Sequence, residues 1–167
     1  SVRYPDNTEI MPQVELRFIF DLYAGVRPAR LIPGVPSPIV DAHQRGIDFV
    51  LIRESTEGLF ASMGKGVVTH DEARETLVIT RKTSQRLFDF SLRLAERRKK
   101  RGKPGLLTCV DKANVFPAFA FFREIFDEAA KRHPGVKADR LYVDACALML
   151  VKRPWDFDVM VTENMFG

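Results

Sequence analysis

Short apolar runs that break off at charged residues recur along the chain. "FVLI" (49–52) runs into Arg53-Glu54, "LLTCV" (106–110) into Asp111-Lys112-Ala113-Asn114, "RLYV" (140–143) into Asp144, and "FDVMV" (157–161) into Thr162-Glu163-Asn164. Short apolar runs of this kind predict strands in the interior of a sheet, and the first extends back to Ile47. Longer segments with a helical period lie between them. Residues 12–26, "PQVELRFIFDLYAGV", predict a helix opened by Pro12 and closed near Gly25. Residues 84–100 bring Leu87, Phe88, Leu94 and Ala95 onto one helical face, and 117–132 do the same with Ala118, Phe121, Phe122, Ile125, Phe126 and Ala129. An aromatic stripe at that spacing is a core face. A short helix is predicted through "ACALMLVK" (145–152), and "RPARLIPGVPSP" (27–38) predicts a short strand leading into a loop. The β-branched "ETLVITR" (75–81) follows a Gly-rich stretch, which predicts a projecting ribbon or loop at about 61–82. Strands alternating with helices predict an α/β fold, a mixed sheet flanked by helices and parallel in part.

Composition narrows the class. With 167 residues, 46% of them hydrophobic, the chain can bury a real core. No apolar stretch approaches the ~20 residues of a membrane span, and the first residues lack the pattern of a signal peptide; the expectation is a cytoplasmic protein with no membrane partner. Cys109 and Cys146 sit in apolar runs and read as buried free thiols, although spacing alone leaves a disulfide open. His43, His70 and His133 are far apart and form no zinc-like spacing. The net charge is +4, yet "RRKKRGK" (97–103) alone carries +6, so the remainder carries −2. A nucleic-acid patch is one reading of that run. A helix C-terminus is the preferred one, because cations suit the macrodipole there, Gly102 and Pro104 stop the helix, and no aromatic residues interleave for bases to stack on.

The candidate chemistry collects at the polar ends of the strands. Ligands of open α/β sheets bind outside the carboxyl ends of the strands, and four polar switches at that edge point to a single site. Arg17, Arg27 and Arg53 supply planar forks suited to a di- or tricarboxylate; surface arginines on a helix and a loop are the other reading, and spacing alone does not choose. Glu54 is expected to orient Arg53, and Gly58 to let the chain turn towards the ribbon.

"LRFIFDLYAGVRP", "IDFVLIRESTEGLF", "VDKANVF", "YVDA" and "FDVMVTENMFG" occur in order from Leu16 to Gly167. Together they resemble the β-decarboxylating dehydrogenases, the family of isopropylmalate, isocitrate, homoisocitrate and tartrate dehydrogenases. The resemblance implies an isopropylmalate dehydrogenase-like fold. Residues 1–26 would be the end of a large domain, and residues 27–167 most of a small domain that binds substrate and forms the dimer. It implies that NAD or NADP oxidises a small 2-hydroxy dicarboxylic acid, which then loses CO2, with Mg2+ or Mn2+ as Lewis acid. By position Arg17, Arg27 and Arg53 correspond to the substrate-carboxylate arginines, and Lys112 to the catalytic lysine that helps remove the hydroxyl proton. Asn114 corresponds to a residue close to the nicotinamide, and Asp144 to a metal ligand. In the family the lysine and that aspartate reach the site from the neighbouring subunit, so a homodimer is implied, clasped by the ribbon near 61–82.

Two departures bear on function. Where the family has a catalytic tyrosine, the proton donor to the enol, this chain has Phe60; a non-catalytic regulatory or structural homologue of the same fold is therefore the alternative. The family also continues past the position of Gly167 into further metal ligands, and its nucleotide loops have no counterpart here. The expectation is that the chain is the central segment of a longer enzyme, inactive when isolated. The positions that in the family contact the substituent on substrate C3 are here Ile10, Met11, Gln13 and Val14. This mostly apolar set lacks the serine-and-asparagine pair of an isocitrate-type pocket and favours a 3-isopropylmalate-like or a tartrate- or malate-like substrate.

Overall fold

The protein is seen in a computed structural model that describes residues 12–167 and, for the backbone alone, residues 2–3 and 9–10. Met11 and the side chain of Ile10 lie outside the described residues. Val2–Arg3 (β1) and Glu9–Ile10 (β2) pair antiparallel and lead into helix α1, Pro12–Ile19. A five-stranded sheet follows, built from β3 (Ala24–Arg30), β4 (Asp48–Glu54), β7 (Leu106–Asp111), β8 (Lys137–Tyr142) and β9 (Val159–Thr162). Its order is β3-β4-β9-β7-β8; β3 runs antiparallel to β4 and the other neighbours are parallel. The predicted mixed sheet is thus present, with its antiparallel strand at one edge.

Helices α3 (Arg81–Lys99) and α4 (Pro117–Lys131) cover one face of the sheet. Leu87, Phe88, Leu92, Phe122, Ile125 and Phe126 interdigitate there with Ile52, Leu107, Cys109, Val159 and Val161, all almost completely buried. Phe88 packs its ring against Phe122 and Phe126. The predicted stripe on α4 holds at Phe122, Ile125, Phe126 and Ala129, while Ala118 and Phe121 are only partly buried and Phe119 takes a core position. On the other face lies α5 (Val143–Lys152), over Val110, Met160, Phe157, Phe49 and Leu51. A four-residue helix, α2 (Ala42–Arg45), precedes β4.

The structure shortens the predicted 12–26 helix. It stops at Ile19, because Asp21 turns to a positive φ of 47° and Leu22 N–H closes on the Arg17 carbonyl at 2.8 Å. Arg86 of α3 grips the Asp21 carboxylate and stacks over Tyr23. The chain then becomes extended at Ala24, so Arg27 lies within a strand; Pro28 is tolerated because β3 is an edge. In the ribbon region only Val67–Val68 (β5) and Ala73–Arg74 (β6) pair, both exposed. Residues 75–81 form no strand beyond a bridge of Val78 to Gly58; Thr80 caps α3, accepting the Thr83 N–H.

The basic run 97–103 is anchored to the fold at Arg98, Lys99 and Lys103, while Arg97, Lys100 and Arg101 stand exposed. Arg98 is buried, its Nε 2.5 Å from Asp158 and its Nη2 2.8 Å from the Asp48 carbonyl. Asp158 is fully buried and also accepts the Gly105 and Leu106 amides. Lys99 binds the Gly135 carbonyl and Lys103 pairs with Asp48. The run therefore ends a helix and ties α3 to the sheet. Both cysteines are free and buried; burial pushes the Cys146 thiol up to about 11 and Cys109 well above its ordinary value. His133 pairs with Glu96 at 2.7 Å. No helix among the described residues is long and apolar enough to cross a membrane.

Candidate active site at the carboxyl ends of the strands

Side chains of a strand alternate between faces, and the alternation splits each polar strand end in two. Glu54 shares a face with Val50 and Ile52, and Asp111 shares it with Leu107 and Cys109, towards α3 and α4. Both acids serve the fold. Asp111, fully buried, takes both forks of Arg123 from α4 at 2.6 and 2.8 Å and the Ala113 amide. Glu54 receives the Thr56 amide and hydroxyl and the Glu57 amide, each at 2.7 Å. It closes the turn after β4 and does not hold Arg53, contrary to the expectation from sequence. Glu163, 2% exposed, likewise accepts the Met165 and Phe166 amides on Oε1, while its Oε2 has no hydrogen-bond partner among the described residues. Burial first, and Glu54 among its neighbours, raise the Glu163 carboxyl above its ordinary value; the amides act against this.

Arg53 faces the other way. Its Nε and Nη2 both donate to Asn164 Oδ1, at 2.9 and 2.6 Å, and Asn164 Nδ2 donates to the Glu57 carbonyl at 2.8 Å. Burial, then the charges of Arg27 and Arg17, lower the Arg53 guanidinium from its ordinary value. Arg27 and Arg17 thus both lie within electrostatic reach of Arg53, and none of the three pairs with a carboxylate among the described residues. Arginine stays protonated in proteins, so the cluster is a set of mutually repelling cations that an anion would relieve. Cross-strand from Arg53 stands Gly25, which leaves that flank without a side chain. The Phe60 ring lies 5.8 Å from the guanidinium carbon and lines a cavity of about 360 Å3 with Leu59, Met63, Glu75 and Met165.

The second group stands beyond β9. Lys112, just past β7, reaches Asp144 in the first turn of α5, with Nζ 2.6 Å from Oδ1. The hydrogen bond from Lys112 holds the exposed Asp144 carboxyl below its ordinary value. Asn114 sits exposed in the turn that follows. No hydrogen bond or ion pair joins this group to the arginines among the described residues. Of the substituent-contacting positions, Gln13 is exposed and Val14 buried. Among the described residues no three His, Cys, Asp or Glu side chains converge on a possible cation. Asp144, one carboxylate already engaged by a lysine, does not make a metal site alone.

Asn164 is the contact that sequence reasoning missed. It was legible as one of the polar strand ends, but nothing in its spacing pairs it with an arginine 111 residues away.

The sequence model described as isocitrate/isopropylmalate dehydrogenase matches residues 1–167, the whole chain. The chain belongs to the isocitrate/isopropylmalate dehydrogenase family. It is 39% identical to a 3-isopropylmalate dehydrogenase of Carboxydothermus hydrogenoformans over 95% of its length. It is 40% identical over 92% to a 3-isopropylmalate/3-methylmalate dehydrogenase of Methanocaldococcus jannaschii. Those matches cover 44% and 45% of the relatives, so the chain spans about half the length of the curated relatives it matches. The crystal structure of isocitrate dehydrogenase from Methylococcus capsulatus superposes with a TM-score of 0.83 at 33% identity, over 99% of this chain and 47% of that one. The resemblance drawn from the five motifs therefore holds at the level of family and fold.

Proposed function

We propose that the full-length protein is an NAD- or NADP-linked dehydrogenase that oxidatively decarboxylates a small 2-hydroxy diacid, 3-isopropylmalate-like or tartrate- or malate-like. The observation that carries this reading is the cluster of Arg17, Arg27 and Arg53, which forms no ion pair with a carboxylate among the described residues and suits the two carboxylates of such a substrate. The named activities of the relatives support it. Arg53 binds one carboxylate end, with Arg17 and Arg27 adding charge. NAD or NADP accepts the hydride, and Asn114 is placed beside its nicotinamide. Lys112 takes the hydroxyl proton after exchanging its contact with Asp144. Asp144 supplies one donor to Mg2+ or Mn2+, with no further donors converging on it among the described residues. Asp144 cannot satisfy Lys112 and a cation with the same oxygen, so the two uses compete. The absence of any hydrogen bond or ion pair, among the described residues, between the Lys112–Asp144 pair and the arginines favours a homodimer in which each copy lends the pair to the other's arginines. Exposed Leu148 and Val151 on α5, and Val67 and Val68 on the ribbon, are apolar surface suited to that contact. The isolated 167-residue chain, with an incomplete donor set, is expected to show no turnover.

The test is reduction of NAD or NADP by the full-length protein with Mn2+ and a panel of 2-hydroxy diacids. Lys112→Ala should lower kcat by about 10²–10⁴-fold, the usual range for a positioned base. Absence of any reduced cofactor would favour the second reading, a non-catalytic homologue, which rests on the ring without a hydroxyl at Phe60.

A further inference from the structure

We propose that Asn164 is a positioning residue for the substrate: it fixes which edge of the Arg53 guanidinium is presented. The inference rests on the reading of Arg53 as a substrate-carboxylate group and extends it to a residue that does not touch the substrate. A guanidinium can grip a carboxylate bidentately along its side edge, through Nε and one Nη, or end-on through both Nη atoms. In this fold Asn164 Oδ1 already takes the side edge, from Nε at 2.9 Å and Nη2 at 2.6 Å. Among the described residues the two N–H groups of Nη1 and one of Nη2 have no partner, which leaves the end-on fork.

The amide is locked in this orientation. Asn164 is fully buried, and its Nδ2 donates to the Glu57 carbonyl at 2.8 Å. A flipped amide would set NH2 against a guanidinium and oxygen against a carbonyl, losing all three hydrogen bonds. The turn that carries Asn164 is itself fixed, because Glu163 accepts the next two amides, Met165 and Phe166. Around the Arg53 stem, Gly167 approaches so closely that a Cβ there would lie 2.4 Å from Cγ, and the Phe60 ring stands over the head. The stem therefore has little freedom to turn the fork elsewhere. The choice of a neutral amide matters as much as its geometry. An aspartate at 164 would hold the same edge while cancelling the charge meant for the substrate, and would face the Glu57 carbonyl with a second acceptor.

The experiment is a double-mutant cycle in the full-length protein, read as KM for the diacid and KM for NAD or NADP. Asn164→Ala should raise the diacid KM about tenfold to a hundredfold, the scale of a hydrogen bond to a charged group, with the cofactor KM unchanged. In an Arg53→Ala background the same substitution should add less than about twofold, because a residue that acts through another has nothing left to position. Equal factors in both backgrounds overturn the positioning role while leaving Arg53 as a substrate group. An Arg53→Ala variant with unchanged diacid KM removes the parent reading and this proposal with it. Should Asn164→Ala fail to fold, Asn164→Leu, similar in size but without an acceptor oxygen, takes its place in the cycle. It should raise the diacid KM selectively, and a wild-type KM there overturns the proposal.

Discussion

At position 60 a ring without a hydroxyl stands beside the Arg53 guanidinium. If the missing hydroxyl limits protonation of the enol, Phe60→Tyr in the full-length protein will raise the yield of protonated keto acid relative to CO2 released. An unchanged ratio would show that another donor serves. Glu163 gives a second prediction at this scale. Its folded-state carboxyl holds a proton above the ordinary glutamate value because it is buried. Between the ordinary and the raised value the native state binds more protons than the unfolded chain, so stability falls as pH rises through that window. Glu163→Gln keeps an Oε1 acceptor for the Met165 and Phe166 amides and should flatten that decline, read as urea midpoint against pH; an unaltered slope would assign the decline elsewhere. The residue types at the strand ends were legible in the sequence, and so was their collection at one edge. Which member of each pair serves the fold was not. Arg53 and Glu54, or Asp111 and Lys112, are adjacent letters, and only the face each takes and the partner it finds there (Asn164, Arg123, Asp144) separate them.

Among the elements, the turn between β4 and the short 3-10 helix at Leu59–Ser62 is the most constrained. Gly58 has φ 72° and ψ −139°, and a Cβ there would meet Glu163 Oε2 at 2.9 Å and the Asn164 Cβ at 3.2 Å. Gly58→Ala should cost about 1–3 kcal/mol from the backbone alone, visible as a lower unfolding midpoint. It should also raise the diacid KM by pressing on Asn164; a KM shift without loss of stability would separate the two effects. The buried strands and the helices α3 and α4 were readable because their apolar period is strong. The end of α1 was not, since "IFDLYAGV" continues an apolar pattern through the turn. What breaks the helix there is a long-range grip, Arg86 on Asp21, which carries no local signal.

For the whole molecule, the proposed dimer makes a direct prediction. Val151→Asp, at a side chain on the exposed face of α5, should convert the full-length protein from dimer to monomer in sedimentation and abolish turnover, although it touches neither Lys112 nor Arg53. A fully active monomer would show that one copy suffices. A row of rings bears on the same point: Phe166 stacks on Phe119 at 5.1 Å, and Phe119 meets Phe116 at 6.0 Å. Phe166 belongs to the turn that holds Asn164, and Phe116 ends the turn that begins at Lys112, where its N–H binds the Lys112 carbonyl. The rings act as a brace between the arginine cluster and the turn after Lys112, so in the proposed dimer each chain would deliver its arginines and its lysine at a set spacing. In the proposed pair of copies the adjustable gap would then be the seam between them. Substitutions along that seam would tune the reaction as a spacer tunes a gauge, changing the rate while each reacting group keeps its place within its own chain.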